Sequence, residues 1–222
     1  PPGYVLIPEL SDEFSGSQLD STKWSTAPTV IGWPGRAPGL FDRGNVKVAD
    51  GRLQLWARAA KRNDSWPQGF DNLTTSAVRS LASVREGYFE IRWRSGSSGI
   101  SSSWFFHTVR KSWTEIDVFE TTGVGNPSRN VSNKNFPSHV HVFKMPNTSF
   151  QELPAKCRCQ DEDWGACSSA ATFTAKPPLF EGFRTASLNW TAGMVAIALD
   201  GVVVSGLPSI CVPVALRADC LP

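Results

Sequence analysis

The sequence predicts an all-β fold, an antiparallel sandwich or jelly roll, on three observations. Short alternating or β-branched and aromatic segments recur along the chain. Asp-Gly pairs stand between apolar runs at two places, and no window carries a capped helical stripe. Many short strands with turn chemistry between them select a sandwich over a helical or α/β fold.

Taken in order, strands are expected at 45–48, 52–57, 88–94, 104–108, 115–120, 139–143, 186–190 and 195–204. The first two flank Ala49-Asp50-Gly51-Arg52 and read as a hairpin, because Asp-Gly suits the tight turns that join antiparallel strands. Leu199-Asp200-Gly201-Val202 repeats the signal near the end. Elsewhere Gly, Pro, Ser and Thr interrupt every helical candidate within about two turns. The polar stretches 26–43, 60–76 and 121–135 are too long for hairpin turns, and loops of that size are commonly functional. Segment 150–171 holds three cysteines and Asp161-Glu162-Asp163-Trp164, and reads as a disulfide-pinned surface loop or insertion.

At 222 residues the chain fits one sizeable core, so a single domain over 1–222 is expected. The 22 basic residues are scattered among 20 acidic ones, for a net charge of +2, and no basic stripe points to nucleic acid or an anionic membrane. No apolar run approaches the roughly 18 to 20 residues that span a bilayer. The opening Pro1-Pro2-Gly3-Tyr4, without Met or a basic n-region, reads as the start of a soluble mature or trimmed product, expected to be a monomer.

Sequons at Asn63, Asn72, Asn130, Asn147 and Asn189 exceed the roughly one or two expected by chance, which favours a secreted, extracellular glycoprotein. A Ser/Thr-rich chain also collects sequons passively. Cys157, Cys159, Cys167, Cys211 and Cys220 crowd the last third, and in an oxidising compartment read as one or two disulfides with an odd thiol. Connectivity stays open. A zinc site on Cys157, Cys159 and Cys167 is the alternative, but the spacing matches no common ligand set.

The chemistry concentrates in Trp113-Thr114-Glu115-Ile116-Asp117-Val118-Phe119-Glu120, three acids inside an apolar β-forming run. On a strand Glu115 and Asp117 share a face, whereas Glu120 falls on the opposite one unless a bulge inserts a residue between 117 and 120. With the bulge, all three carboxyls converge on one groove. Retaining glycoside hydrolysis needs two carboxyl groups about 5 to 5.5 Å apart, a separation that same-face strand positions provide. Glu115 would attack the anomeric carbon, Glu120 would protonate the leaving oxygen and later activate water, and Asp117 would tune the pair. A strand with outward acids around Ile116, Val118 and Phe119 is the plain structural alternative.

These residues resemble glycoside hydrolase family 16, whose Glu-x-Asp-x-x-Glu signature Glu115-Ile116-Asp117-Val118-Phe119-Glu120 matches. Further segments follow that family's order: Leu10 to Phe14 with Leu19 to Trp24, Asn45 to Leu53, Gly87 to Arg92, and finally Trp190 with Leu199-Asp200-Gly201. The resemblance implies a concanavalin-like β-jelly roll of two curved antiparallel sheets, an open cleft, retention of configuration and endo-cleavage. Trp33-Pro34-Gly35-Arg36 is similar to the agarase and porphyranase branch, in which a matching Trp and Arg line the sugar subsites. A Trp face stacks on a pyranose and an Arg fork clasps hydroxyls or sulfate, which makes Trp33 and Arg36 candidate substrate-binding residues.

Trp104, Trp113 and His141 complete the candidate set: Trp104 on an aromatic strand beside the cleft, Trp113 as a subsite floor, His141 as a cleft histidine on one face with His139. The resemblance thins after Asp200-Gly201, where 205–222 carries Pro208 and Pro213. The sandwich is therefore expected to be truncated or closed differently, for instance by a Cys211–Cys220 staple. The function expected is endo-hydrolysis of a red-algal galactan such as agar or porphyran. The alternatives are a β-1,3-glucanase and a non-catalytic lectin-like protein. No cofactor is required for carboxyl chemistry, and a structural calcium at the sandwich edge is an alternative without a ligand set to name.

Overall fold

The computed structural model describes residues 3–108, 113–124, 134–143, 166–191 and 194–208. They cluster into two compact units, Val5–Ser83 in one and Tyr4 with the residues from Val84 onward in the other.

The Val5–Ser83 unit is built from short strands: β1 (Trp24–Ser25), β2 (Gly35–Arg36), β3 (Gly39–Phe41), β4 (Val46–Ala49), β5 (Arg52–Leu55), β6 (Arg58–Ala59), β7 (Leu73–Thr75) and β8 (Arg79–Ser80), with one helical turn, α1 (Pro28–Ile31). The Asp-Gly signal is borne out. β4 and β5 pair antiparallel across Asp50 and Gly51, which take φ of 55° and 66°, the double positive φ that this turn type requires. The long polar stretches are only partly loops, since 26–43 holds α1, β2 and β3 and 60–76 holds β7. β7 pairs parallel with β3, which puts Thr74 beside Asn45, and the buried Asn45 amide donates to the Thr74 hydroxyl at 3.0 Å.

The second unit is a sandwich of two four-stranded antiparallel sheets. Its strands are β9 (Gly87–Trp93), β10 (Ser101–Thr108), β11 (Trp113–Thr122), β12 (Asn135–Phe143), β13 (Ala166–Thr174), β14 (Arg184–Trp190), β15 (Met194–Leu199) and β16 (Val202–Pro208). One sheet runs β10-β11-β12-β13 and the other β16-β15-β14-β9. Period-two alternation explains the pairing of faces. In β15 Val195, Ile197 and Leu199 are buried, in β14 Ala186 and Leu188 are buried, and they meet Ile116, Val118, Phe136 and Val140 of the other sheet. Trp93 stacks on Phe119 with ring centroids 4.0 Å apart, tying the two sheets by a large apolar contact. The sequence segment 195–204 is two strands, folded over at Asp200 and Gly201, which again have positive φ.

One expectation is corrected. Residues 166–171, read above as part of a surface loop, belong to β13, which pairs with β12 over the full length from Phe143↔Ala166 to Asn135↔Thr174. Ser and Ala carry little strand signal of their own, and the neighbouring strand supplies the pairing. Cys157, Cys159, Cys211 and Cys220 lie outside the described residues, as does the side chain of Cys167, and with them the disulfide, zinc and C-terminal staple expectations.

Candidate active site

The acid strand, β11, is an inner strand, with β10 on one side and β12 on the other. Its register against β10 runs Thr108↔Thr114, His107↔Glu115, Phe106↔Ile116 and Phe105↔Asp117, then jumps to Trp104↔Phe119 and Ser103↔Glu120. Val118 is the extra residue of a β-bulge. Before it, Glu115 and Asp117 share the face turned away from the core while Ile116 points inward. After it the parity changes, so Val118 and Phe119 both enter the core, at 0% and 3% exposure, and Glu120 returns to the face of Asp117. Without the extra residue Glu120 would share the core face of Ile116 and Val118, where an unpaired carboxylate is costly. The bulge that the spacing of the acids demanded is therefore present.

A side chain from β12 stands at the bulge. The last β11–β12 pair before the bulge is Asp117↔His139, and the Val118 carbonyl accepts a hydrogen bond from the buried Ser138 hydroxyl at 2.9 Å. Next to Ser138, on the other face, His139 reaches the acids. Its Nδ1 lies 3.9 Å from Glu120 Oε2, and Asp117, Glu120 and His139 each offer an oxygen or nitrogen within 4.8 Å of the others. Asp117 is 2% exposed, whereas the Glu120 and His139 side chains are 37% and 25% exposed. Glu115 is half-buried and pairs in register with His107 on β10 and His141 on β12.

The outcome for the other candidate residues differs. Trp104 precedes the register jump and turns toward the core, its ring 5.5 Å from Phe106 and 6.4 Å from Phe119. The aromatic on the acid face of β10 is Phe105, with its ring 5.4 Å from that of His107. The side chains of Trp113 and His141 lie outside the described residues, although the register places Trp113 opposite Phe143 and His141 opposite Glu115. Trp33 and Arg36 belong to the Val5–Ser83 unit, where Trp33 packs edge-on against Phe41 at 5.1 Å and Arg36 is exposed on β2. His107, Ser138 and the contact of His139 with Glu120 were not singled out from sequence. The alternation of His139 with His141 was a usable signal for His139, but only the cross-strand register shows which acid each faces.

Chemically, the strand presents a half-buried carboxyl on either side of a buried one, with an imidazole beside the second. Such a set can supply a nucleophilic carboxylate, a proton-donating carboxyl and a group to orient them.

The family model of the β-porphyranase A–D glycoside hydrolase family 16 domain matches residues 4–187. β-Porphyranase D of Zobellia galactanivorans is 37% identical over 108 residues, covering 46% of this chain and 25% of that protein. β-Porphyranase B of the same organism is 25% identical over 211 residues, covering 89% of this chain and 66% of that protein. This chain thus matches a quarter of the length of one relative and just under two thirds of the other. The crystal structure of porphyranase B from Zobellia galactanivorans superposes with a TM-score of 0.75 at 23% identity, over 94% of this chain and 80% of that one. The jelly-roll fold is shared.

Proposed function

The chain belongs to the family of β-porphyranase A–D glycoside hydrolase family 16 domains, and from that membership we propose that it is a retaining endo-hydrolase of a β-linked red-algal galactan, agar or porphyran. The observation that carries the reading is the bulge at Val118, which sets Glu120 on one face with Glu115 and Asp117. In the first step the Glu115 carboxylate attacks the anomeric carbon as the bond to the leaving oxygen breaks, and Glu120 gives that oxygen its proton. In the second, Glu120 takes a proton from water, the water oxygen attacks the anomeric carbon, and the bond to Glu115 breaks, restoring both carboxyls. Two inversions give net retention. Asp117, buried between them, is the group that orients the pair, and His139 sits where it can steady Glu120 between proton transfers.

The names of the relatives support porphyran, and the polymer itself is the matter to test. Trp33 and Arg36 remain candidates for sugar and sulfate contacts. Secretion is proposed on the sequons: Asn63 and Asn72 are exposed, Asn189 on β14 accepts a hydrogen bond from Tyr4 at 3.0 Å, and Asn130 and Asn147 lie outside the described residues.

The deciding experiment measures reducing-end release from agarose, porphyran, carrageenan and laminarin, with Glu115→Gln as control and the anomer of the first product read by NMR. Release from one galactan with the β-anomer formed first, abolished in the variant, is the expected result. Release from laminarin alone would move the substrate to β-1,3-glucan. Saturable binding without release from any polymer would make the protein a lectin-like binder.

A further inference from the structure

The chain has three histidines, and the strand register sets all three positions opposite the acids. His107 on β10 and His141 on β12 are the register partners of Glu115, and His139 is the partner of Asp117. An imidazole beside a carboxyl cluster, as that of His139 is beside Glu120, changes what the cluster can bind. Carboxylates alone suit hard cations that take six or more oxygens, whereas a mixed set of imidazole and carboxylate suits zinc.

We propose that Asp117, Glu120 and His139 form a zinc(II) site whose occupancy switches the hydrolase off, an inference that rests on the reading of Glu120 as the proton donor. Zinc holds nitrogen and oxygen ligands at about 2.0 to 2.2 Å in a tetrahedron, so two ligand atoms on one ion lie roughly 3.3 Å apart. The Nδ1 to Oε2 distance of 3.9 Å and the 4.8 Å limit on all three atoms leave a closure of under about 1.5 Å, within the reach of side-chain rotation. The buried Asp117 on its inner strand is the fixed anchor, and the partly exposed Glu120 and His139 do the moving. Three protein ligands leave a fourth position for water. Zinc on Glu120 takes the oxygen that would carry the proton in the proposed reaction, and a metal-bound carboxylate has no proton to give the leaving group.

Zinc binding can be tested without substrate, by calorimetric titration of the full chain with zinc chloride and, separately, magnesium chloride near neutral pH. The expected result is a saturable zinc site that magnesium does not fill and that weakens more than tenfold in His139→Gln. Glu115→Gln keeps its zinc affinity within about threefold, since Glu115 is no ligand in the proposed set. The difference between the parent and His139→Gln separates this site from cysteine thiols elsewhere in the chain. Should His139→Gln lose its fold by circular dichroism, Asp117→Asn takes its place with the same expected loss. Equal zinc affinity in the parent and the ligand variant, or filling by magnesium, overturns the site. Where a galactan is cleaved, zinc at ten times its dissociation constant lowers the rate about tenfold by occupancy, and chelation restores it; an unchanged rate at that occupancy overturns the switch. Zinc binding in a chain that cleaves no polymer would leave the site standing and remove the hydrolase reading.

Discussion

Replacing Ser138 with Ala removes one hydroxyl from a fully buried position and tests what holds the bulge in place. The Ser138 hydroxyl donates to the Val118 carbonyl at 2.9 Å, at the residue where β11 goes out of step with β10. Without it that buried carbonyl loses a donor, a cost of about 1 to 3 kcal/mol. At about 2 to 4 °C per kcal/mol for a domain of this size, the melting temperature should fall by roughly 2 to 12 °C. The loss should also reach the chemistry, because the parity change at Val118 brings Glu120 to its face. If about 1.4 kcal/mol of that positioning is lost in the transition state, the rate falls about tenfold. The fall should appear in kcat more than in KM, since Ser138 faces the core and does not touch sugar. Thermal melting and initial rates on the cleaved polymer measure both. A Ser138→Ala protein that melts within about 1 °C of the parent and keeps its kcat would refute the claim that this hydrogen bond sets the acid strand.

Further perturbations probe other parts of the same sandwich. Gly123 follows the acid strand so close to the Gly96–Ser97 backbone that a Cβ there would overlap the Gly96 carbonyl oxygen, so Gly123→Ala should cost about 1 to 3 kcal/mol or more and lower kcat, read by melting and rate. Ile197→Ala at a fully buried position of β15 should cost about 2 to 5 kcal/mol by chemical denaturation, while the acid face keeps its register and the folded fraction its specific activity. Burial, reinforced by its hydrogen bond to Glu90 at 2.7 Å, pushes the Tyr88 phenol above its ordinary value of about 10. A raised value favours the neutral phenol, so its contribution to stability is complete below the ordinary value and is lost as pH rises through the folded one. In a Tyr4→Phe background, which leaves Tyr88 as the one tyrosine, ultraviolet titration should show a late phenolate that Glu90→Gln brings earlier.

What could be read in advance was whatever the chain states locally. Asp50-Gly51 and Asp200-Gly201 announce their hairpins because few other pairs tolerate two successive positive φ values. β14 announces itself by alternation, with Thr185, Ser187 and Asn189 between Ala186, Leu188 and Trp190, and β15 by a continuous apolar run from Met194 to Leu199. β13 does not, since its Ser and Ala are strand residues only by virtue of pairing with β12. The two- and three-residue strands of the Val5–Ser83 unit are too short for any period to show. Trp104 and Phe105 could not be told apart from sequence for a different reason. Both are aromatic, they point to opposite faces, and the register jump on the facing strand fixes which one meets the acids.

The acid cluster was legible for a different reason, and that reason bears on function. Glu115 and Asp117 agree in parity and Glu120 disagrees, in a run whose other members are apolar. A regular strand offers no satisfactory placement: either one carboxyl is driven into the core or the apolar residues face outward. A single inserted residue resolves the conflict, and it does so only by bending the strand and raising its local twist at the point where the carboxyls gather. A sequence selected for stability alone would have no need of the conflict, because a polar residue at 119 and an apolar one at 120 would remove it without a bulge. Keeping Phe119 beneath Trp93 and Glu120 beside His139 costs the sheet a regular ladder and a buried hydroxyl to patch it. The irregularity therefore points toward chemistry, and Ser138, which no motif marks, is as much a part of that arrangement as the acids it holds in place.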